Sequence, residues 1–208
     1  MAEDGSWDSI KQHGLLSTIA LLDKWEISGT LRQTIESNYR PQSITIENIN
    51  YGKAVIRDQK PISPDQLGKC LPPNITVNDW YRFINKKVFF WPNWTSLKWF
   101  LSAREYINKI HTVLCIDTET LLSDHKNELK LSPINSGSAY PQRNKTVPEP
   151  RDYDVFKNIK DYANNWVREI AIDHSLPDFR RFLIWSRRYV AEEKLGYNNE
   201  PTFKEELV

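Results

Sequence analysis

The run Trp166-Val-Arg-Glu-Ile-Ala-Ile172 constrains the fold most tightly, because five apolar residues enclose two charges. Strand alternation puts Trp166, Arg168, Ile170 and Ile172 on one face and Val167, Glu169 and Ala171 on the other. Glu169 then shares its face with one medium and one small side chain, which leaves room beside the carboxylate. As an edge strand, the run would send its charges to water. As the floor of a sheet, it would carry a catalytic carboxylate. His174-Ser-Leu-Pro-Asp178 follows as an exit into a turn, and Ser175 and Pro177 open a helix expected to run to about Lys194.

Other short apolar runs repeat the strand signal. Ser43 to Ile46 and Lys53 to Arg57 flank the turn-rich Asn48 to Gly52. Lys87-Val-Phe-Phe-Trp91 and His111 to Asp117 read as core strands, and Glu128 to Leu131 as a half-exposed one. Between them lie helical patterns: Ser6 caps a short helix stopped by Gly14, with others at Thr18–Lys24 and Thr30–Asn38. Thr76 and Asp79 are spaced as a capping box. Thr95 to Asn108 is amphipathic, and Asp152 to Tyr162 also reads as helix. Pro133 to Pro150 is a long loop, of the length that is usually functional. Met1 to Gly5 carries no strand signal. Strands and helices intermix without βαβ alternation, so the expectation is α+β. We expect a single domain over 1–195, with a mixed or mainly antiparallel sheet and flanking helices, and a flexible tail over 196–208.

Twenty-eight Lys and Arg against 27 Asp and Glu give a net charge of +1, so any polyanionic partner would need a local basic patch. Arg180, Arg187 and Arg188, on the expected last helix, would supply one. The two cysteines and four histidines lack metal-ligand spacing, so no metal is expected. Seven glycines include no phosphate-binding Gly-rich loop. No apolar run is long enough to span a membrane, and the start does not read as a secretory signal. A cytoplasmic protein is the expectation. What remains is polar residues at strand ends: Arg57-Asp58-Gln59, Asn85-Lys86-Lys87, Asn135-Ser136-Gly137, and Glu169.

Three short stretches resemble ADP-ribosyltransferases. Ser6-Trp-Asp-Ser-Ile-Lys-Gln-His-Gly-Leu-Leu-Ser17 is similar to the helix-turn after the first strand of that fold, and Val88-Phe-Phe-Trp91 to a later aromatic strand. Val167 to Ile172, with Ser175-Leu-Pro-Asp178, resembles the Glu-bearing strand of the bacterial DarT-type DNA ADP-ribosyltransferases. The chain also looks like a member of a bacterial family built around Ile56–Gln59, Val88–Trp91 and Asn135–Ser138. The resemblance implies an ADP-ribosyltransferase-like fold that transfers ADP-ribose from NAD to a nucleic-acid or protein acceptor. Glu169 would be catalytic. Arg57 would hold the pyrophosphate and Trp91 would face nicotinamide, with Asn135 and Ser136 as further NAD contacts. The family's first strand, which precedes the helix-turn, would lie before Met1. The alternative is a non-catalytic binding or regulatory module using the same cleft.

Overall fold

The computed structural model describes residues 1–140 and 149–192, together with the backbone of Thr202–Leu207. The strands are β1 (Ala2–Glu3), β2 (Leu15–Leu16), β3 (Ile44–Asn48), β4 (Gly52–Ile56), β5 (Lys87–Phe90), β6 (Ile110–Ile116), β7 (Leu129–Ser132), β8 (Lys157–Asn158), β9 (Glu169–Asp173), β10 (Ser175–Leu176), β11 (Leu183–Glu192) and β12 (Thr202–Leu207). The helices are α1 (Trp7–His13), α2 (Thr18–Lys24), α3 (Gly29–Ser37), α4 (Pro64–Gly68), α5 (Val77–Asn85), α6 (Trp94–Leu101) and α7 (Thr118–His125). The chain is α+β, and every strand pair is antiparallel.

Two four-stranded sheets dominate, ordered β1-β6-β11-β12 and β5-β9-β7-β8. Two small pairings, β3-β4 and β10-β2, complete the set. The strand that carries Glu169 is therefore interior to its sheet, between β5 and β7, and the edge-strand reading does not hold. It begins at Glu169 itself, so Trp166–Arg168 lie outside it. Ala171, two residues on, shares the face of Glu169 and is small and buried, which keeps space beside the carboxylate.

Helices pack on these sheets through separate apolar clusters. Leu22, Trp25 and Ile35 of the α2–α3 region close over Ile46, Ala54 and Ile56 of the β3–β4 hairpin. Trp80, Tyr81 and Ile84 of α5 meet Ile62, Leu67 and Ala139. The capping box at Thr76 is present: its hydroxyl accepts from the Asp79 N–H, and the Asp79 carboxylate accepts from the Thr76 N–H. Gly14 sits at φ +86°, and a Cβ there would lie 2.6 Å from the Pro177 Cα. Only glycine lets α1 turn into β2 so close to the β10 segment.

The C-terminal region departs from expectation. Residues 175–192 contain no α-helix; β10 and a 3-10 turn at Phe179–Arg181 lead into the ten-residue strand β11. Leu183, Trp185, Tyr189 and Ala191 alternate along it, and Tyr189 and Ala191 enter an apolar cluster with Leu97, Leu101 and Val113. A two-residue period won over the helical one because those side chains have a sheet to pack on. The helical face expected to cluster Arg180, Arg187 and Arg188 is absent, since Arg187 and Arg188 are consecutive on β11 and alternate between its faces. Arg188 forks onto Asp4, Arg181 pairs with Asp124 and Asp178, and Arg180 donates to the Lys11 carbonyl.

Smaller corrections follow the same logic. Tyr153–Val155 and Ile159–Asp161 are 3-10 turns around the short β8, not one helix. The helix expected to reach Asn108 ends at Leu101. Ala2–Glu3 form a strand against Thr112 and His111, so the edge of β6 is paired. The tail expected over 196–208 includes β12, paired along β11, while 193–201 and 208 lie outside the described residues. No helix among the described residues is long and apolar enough to cross a membrane.

Candidate functional site

A cavity of about 340 Å³ opens where β4, β5 and the start of β9 converge. Glu169, Lys87 and Asn135 reach it from the second sheet and its loops, and Arg57 and Gln59 from the end of β4. Trp91, Phe100 and Tyr106 supply an aromatic wall. Four of the five residues singled out in the sequence, Glu169, Arg57, Trp91 and Asn135, thus line one space although up to 112 positions separate them along the chain (169 − 57).

Glu169 is only 5% exposed. The Ser136 N–H and hydroxyl both donate to its Oε2, at 3.0 and 2.7 Å. Burial dominates its proton affinity and pushes the carboxyl up to about 7; the Ser136 bonds and the nearby Arg151 guanidinium pull the other way. A carboxyl with that affinity exchanges its proton near neutral pH, as a general base requires. Ser136 is completely buried and bound to Glu169, so it serves the carboxylate and does not face the cavity as a cofactor contact. Asn135 is fixed differently: its Oδ1 accepts from the Gly137 N–H at 3.1 Å, which leaves the amide nitrogen as its free donor side.

Arg57 is packed rather than bonded. Its guanidinium carbon lies 4.8 Å from the Tyr106 ring centre and 5.3 Å from that of Phe100, and these two rings stack at 4.4 Å. Nη2 donates to His111 Nδ1 at 3.2 Å, whereas the buried Nε and Nη1 have no partner. Burial and the Arg57 charge push His111 down to about 4, so it stays neutral and accepts at Nδ1. Its Nε2 then donates to the Tyr106 carbonyl. The Tyr106 hydroxyl donates to Asp58 Oδ1 at 3.0 Å, which braces the ring against Arg57.

Gln59 belongs to the same wall. Arg40 Nη2 donates to Asn85 Oδ1, which identifies that atom as the acceptor, and Gln59 Nε2 donates to it as well. The Gln59 amide cannot flip without facing Asn85 with an oxygen, so Oε1 is left buried without a donor. The wall therefore holds two unpartnered donor nitrogens and one unpartnered acceptor, each costly to bury unpaired.

Two further cavities adjoin this one. One of about 320 Å³ shares Trp91, Phe100, Tyr106, Asn135 and Gly137 with it and extends to the exposed Trp99 and Tyr140 and the half-buried Arg168. The other, about 510 Å³, lies between the two sheets and is lined by uncharged side chains such as Phe90, Val113, Leu129 and Ile170. Trp91 touches all three. Among the described residues, no group of three or more His, Cys, Asp or Glu is placed to hold a metal ion.

Arg151, His111, Phe100 and Tyr106 carried no signal as site residues in the sequence. Arg151 follows Pro150 at the end of the long loop, 15 positions from the Ser136 carbonyl to which it donates. His111 meets Arg57 across 54 positions.

No curated protein and no solved structure matches the chain. A family model described as a family of unknown function (DUF7002) matches residues 1–183. The chain belongs to the DUF7002 family.

Proposed function

We propose that this cavity binds NAD and that the protein is an ADP-ribosyltransferase-like enzyme, with Glu169 as the working carboxylate. One observation carries the reading: a buried carboxyl whose proton affinity is raised to about 7 shares a cavity with a half-buried arginine, two of whose donor nitrogens have no partner. A carboxylate of that kind suits a reaction that develops positive charge on a sugar carbon, and such an arginine suits a pyrophosphate.

In the reaction, the bond between ribose C1′ and the nicotinamide nitrogen breaks, and nicotinamide leaves with the electron pair. Ionised Glu169 stabilises the oxocarbenium-like ribose and holds one of its hydroxyls. A bond then forms between C1′ and the acceptor nucleophile, whose proton passes to Glu169 and on to water. Arg57 directs Nε and Nη1 at the pyrophosphate oxygens. Trp91 offers a face to the nicotinamide ring, and the Asn135 amide nitrogen donates to an NAD oxygen. The acceptor is a nucleic acid or a protein.

The test is transfer of label from radiolabelled NAD to a panel of single-stranded DNA, RNA and total cell protein, with Glu169→Gln as control. Label that disappears with Glu169→Gln supports the reading and names the acceptor class. If no label is transferred and calorimetry detects no NAD binding, the reading fails and the cavity belongs to a binding module.

A further inference from the structure

Glu169 is held by a loop, and the loop is held from behind by one buried side chain. Arg151 is 4% exposed. Its Nη1 donates to the Ser136 carbonyl at 3.2 Å and its Nη2 to the Ser138 carbonyl at 2.9 Å. Its own N–H donates to the Cys70 carbonyl at 2.9 Å, and its guanidinium lies 5.8 Å from the centre of the Trp80 ring, anchoring it to the α5 side of the core. The fork thus spans residues 136 and 138 and fixes the turn whose Ser136 N–H and hydroxyl both converge on Glu169 Oε2.

We infer that Arg151 is a positioning residue, which locks the 135–138 turn so that Glu169 presents its carboxylate to the cavity in a single orientation. The inference rests on Glu169 being the working carboxylate. Arginine suits this post because two parallel donors on a rigid plane can grip two carbonyls at once; a lysine ammonium grips as a point. Because Arg151 reaches the carboxylate through Ser136, it also contributes positive charge without occupying the cavity. Ser132, the neighbour of Glu169 on β7, carries no charge. Arg57 and Lys87 share the cavity, and Cys70 and Glu149 act on Arg151. Arg151 is the only charged side chain coupled to Glu169 through the turn among the described residues.

The alternative is that Arg151 only stabilises the fold. The two are separated by the carbon-13 titration of the Glu169 carboxyl, with the resonance identified by its loss in Glu169→Gln. It is followed in the wild type, Arg151→Met, Arg151→Lys and Ser136→Ala, alongside NAD turnover. Positioning predicts an upward shift of the Glu169 midpoint in Arg151→Met and Ser136→Ala, with partial return in Arg151→Lys. It also predicts kcat reduced by about 10²-fold with a smaller rise in KM for NAD, because the carboxylate is misplaced and Asn135 shares the turn while the Arg57 and Trp91 contacts are intact. A purely structural role predicts lowered thermal stability with the midpoint and kcat of the folded variants unmoved, and that result overturns the inference. If Arg151→Met does not fold, Arg151→Lys and Ser136→Ala decide by the same criteria. Should the wild type leave NAD intact, the transferase reading falls on its own and the titration still decides whether Arg151 governs the carboxylate.

Discussion

The Glu169 wall and the Arg57 wall of the cavity hold opposite charges in opposite ways. Glu169 is gripped by hydrogen bonds from Ser136, and Ser136 in turn is set by Arg151. Arg57 is held by ring faces and a bond to a neutral histidine, with two donor nitrogens left without a partner. The Glu169 wall is satisfied from within the fold; the Arg57 wall leaves two donor nitrogens and the Gln59 Oε1 acceptor without a partner. Arg40, which lines the same cavity, sharpens the difference, because its Nε, Nη1 and Nη2 donate to the carbonyls of Arg57 and Ile35 and to Asn85 Oδ1. A buried arginine with its donors spent inside the fold is structural. On the proposed reading, Arg57, half-buried beside the cavity with donor nitrogens unspent, is the one that takes the ligand.

The comparison breaks most visibly at the carboxylate. Glu169→Gln is expected to reduce label transfer by about 10³-fold or more, since the substitution keeps an oxygen for Ser136 but removes the charge and the base. Thermal unfolding of the variant should match or exceed the wild type at pH 8, because a buried ionised carboxylate is gone. On the other wall, Arg57→Met should raise KM for NAD by about 10²-fold and leave stability nearly unchanged, because an apolar side chain replaces a half-buried, under-bonded charge. Arg40→Met should instead cost about 3 kcal/mol, which denaturant titration would read directly, because it strands acceptors inside the fold.

A smaller effect is pH. Glu169 is raised above its unfolded value, so its contribution to stability is present at low pH and is lost as pH rises from about 4.5 through about 7. His111 is depressed, so the unfolded state takes up more protons below pH 6.5 and stability is lost as pH falls from there towards about 4. Each shift corresponds to roughly 3 kcal/mol, and the two oppose one another between pH 4.5 and 6.5. The depressed Met1 amine adds a rising slope above about pH 5 to both proteins, so the wild-type stability curve should climb less steeply with pH than that of Glu169→Gln, which lacks the opposing carboxyl slope. Denaturant titrations of both proteins across pH 4.5–8 measure this.

Much of the frame was legible from local chemistry. The Thr76–Asp79 box, the aromatic strand at Lys87 and the apolar run at His111 announce themselves within a few residues. Glu169 was legible as well, through an alternation that placed it beside a small residue. The last strand was not: Leu-Ile-Trp-Ser-Arg-Arg-Tyr-Val-Ala-Glu suits either period until β6 and α6 are there to receive Tyr189 and Ala191. Nor were the partners of the site residues. Ser136 reads as a turn residue, and only the folded chain turns its hydroxyl onto Glu169 from 33 positions away. Arg151 is a charge in a proline-rich loop until the loop closes on it. Such long-range contacts leave no local pattern to read.

Release of nicotinamide tests the central claim most directly, because it needs no knowledge of the acceptor; water alone serves. NAD would be incubated with wild type, Glu169→Gln and Arg57→Met, and free nicotinamide followed by chromatography. The account predicts release by the wild type, release by Arg57→Met only at raised NAD concentration, and none above background with Glu169→Gln. Release that persists undiminished in Glu169→Gln would contradict it.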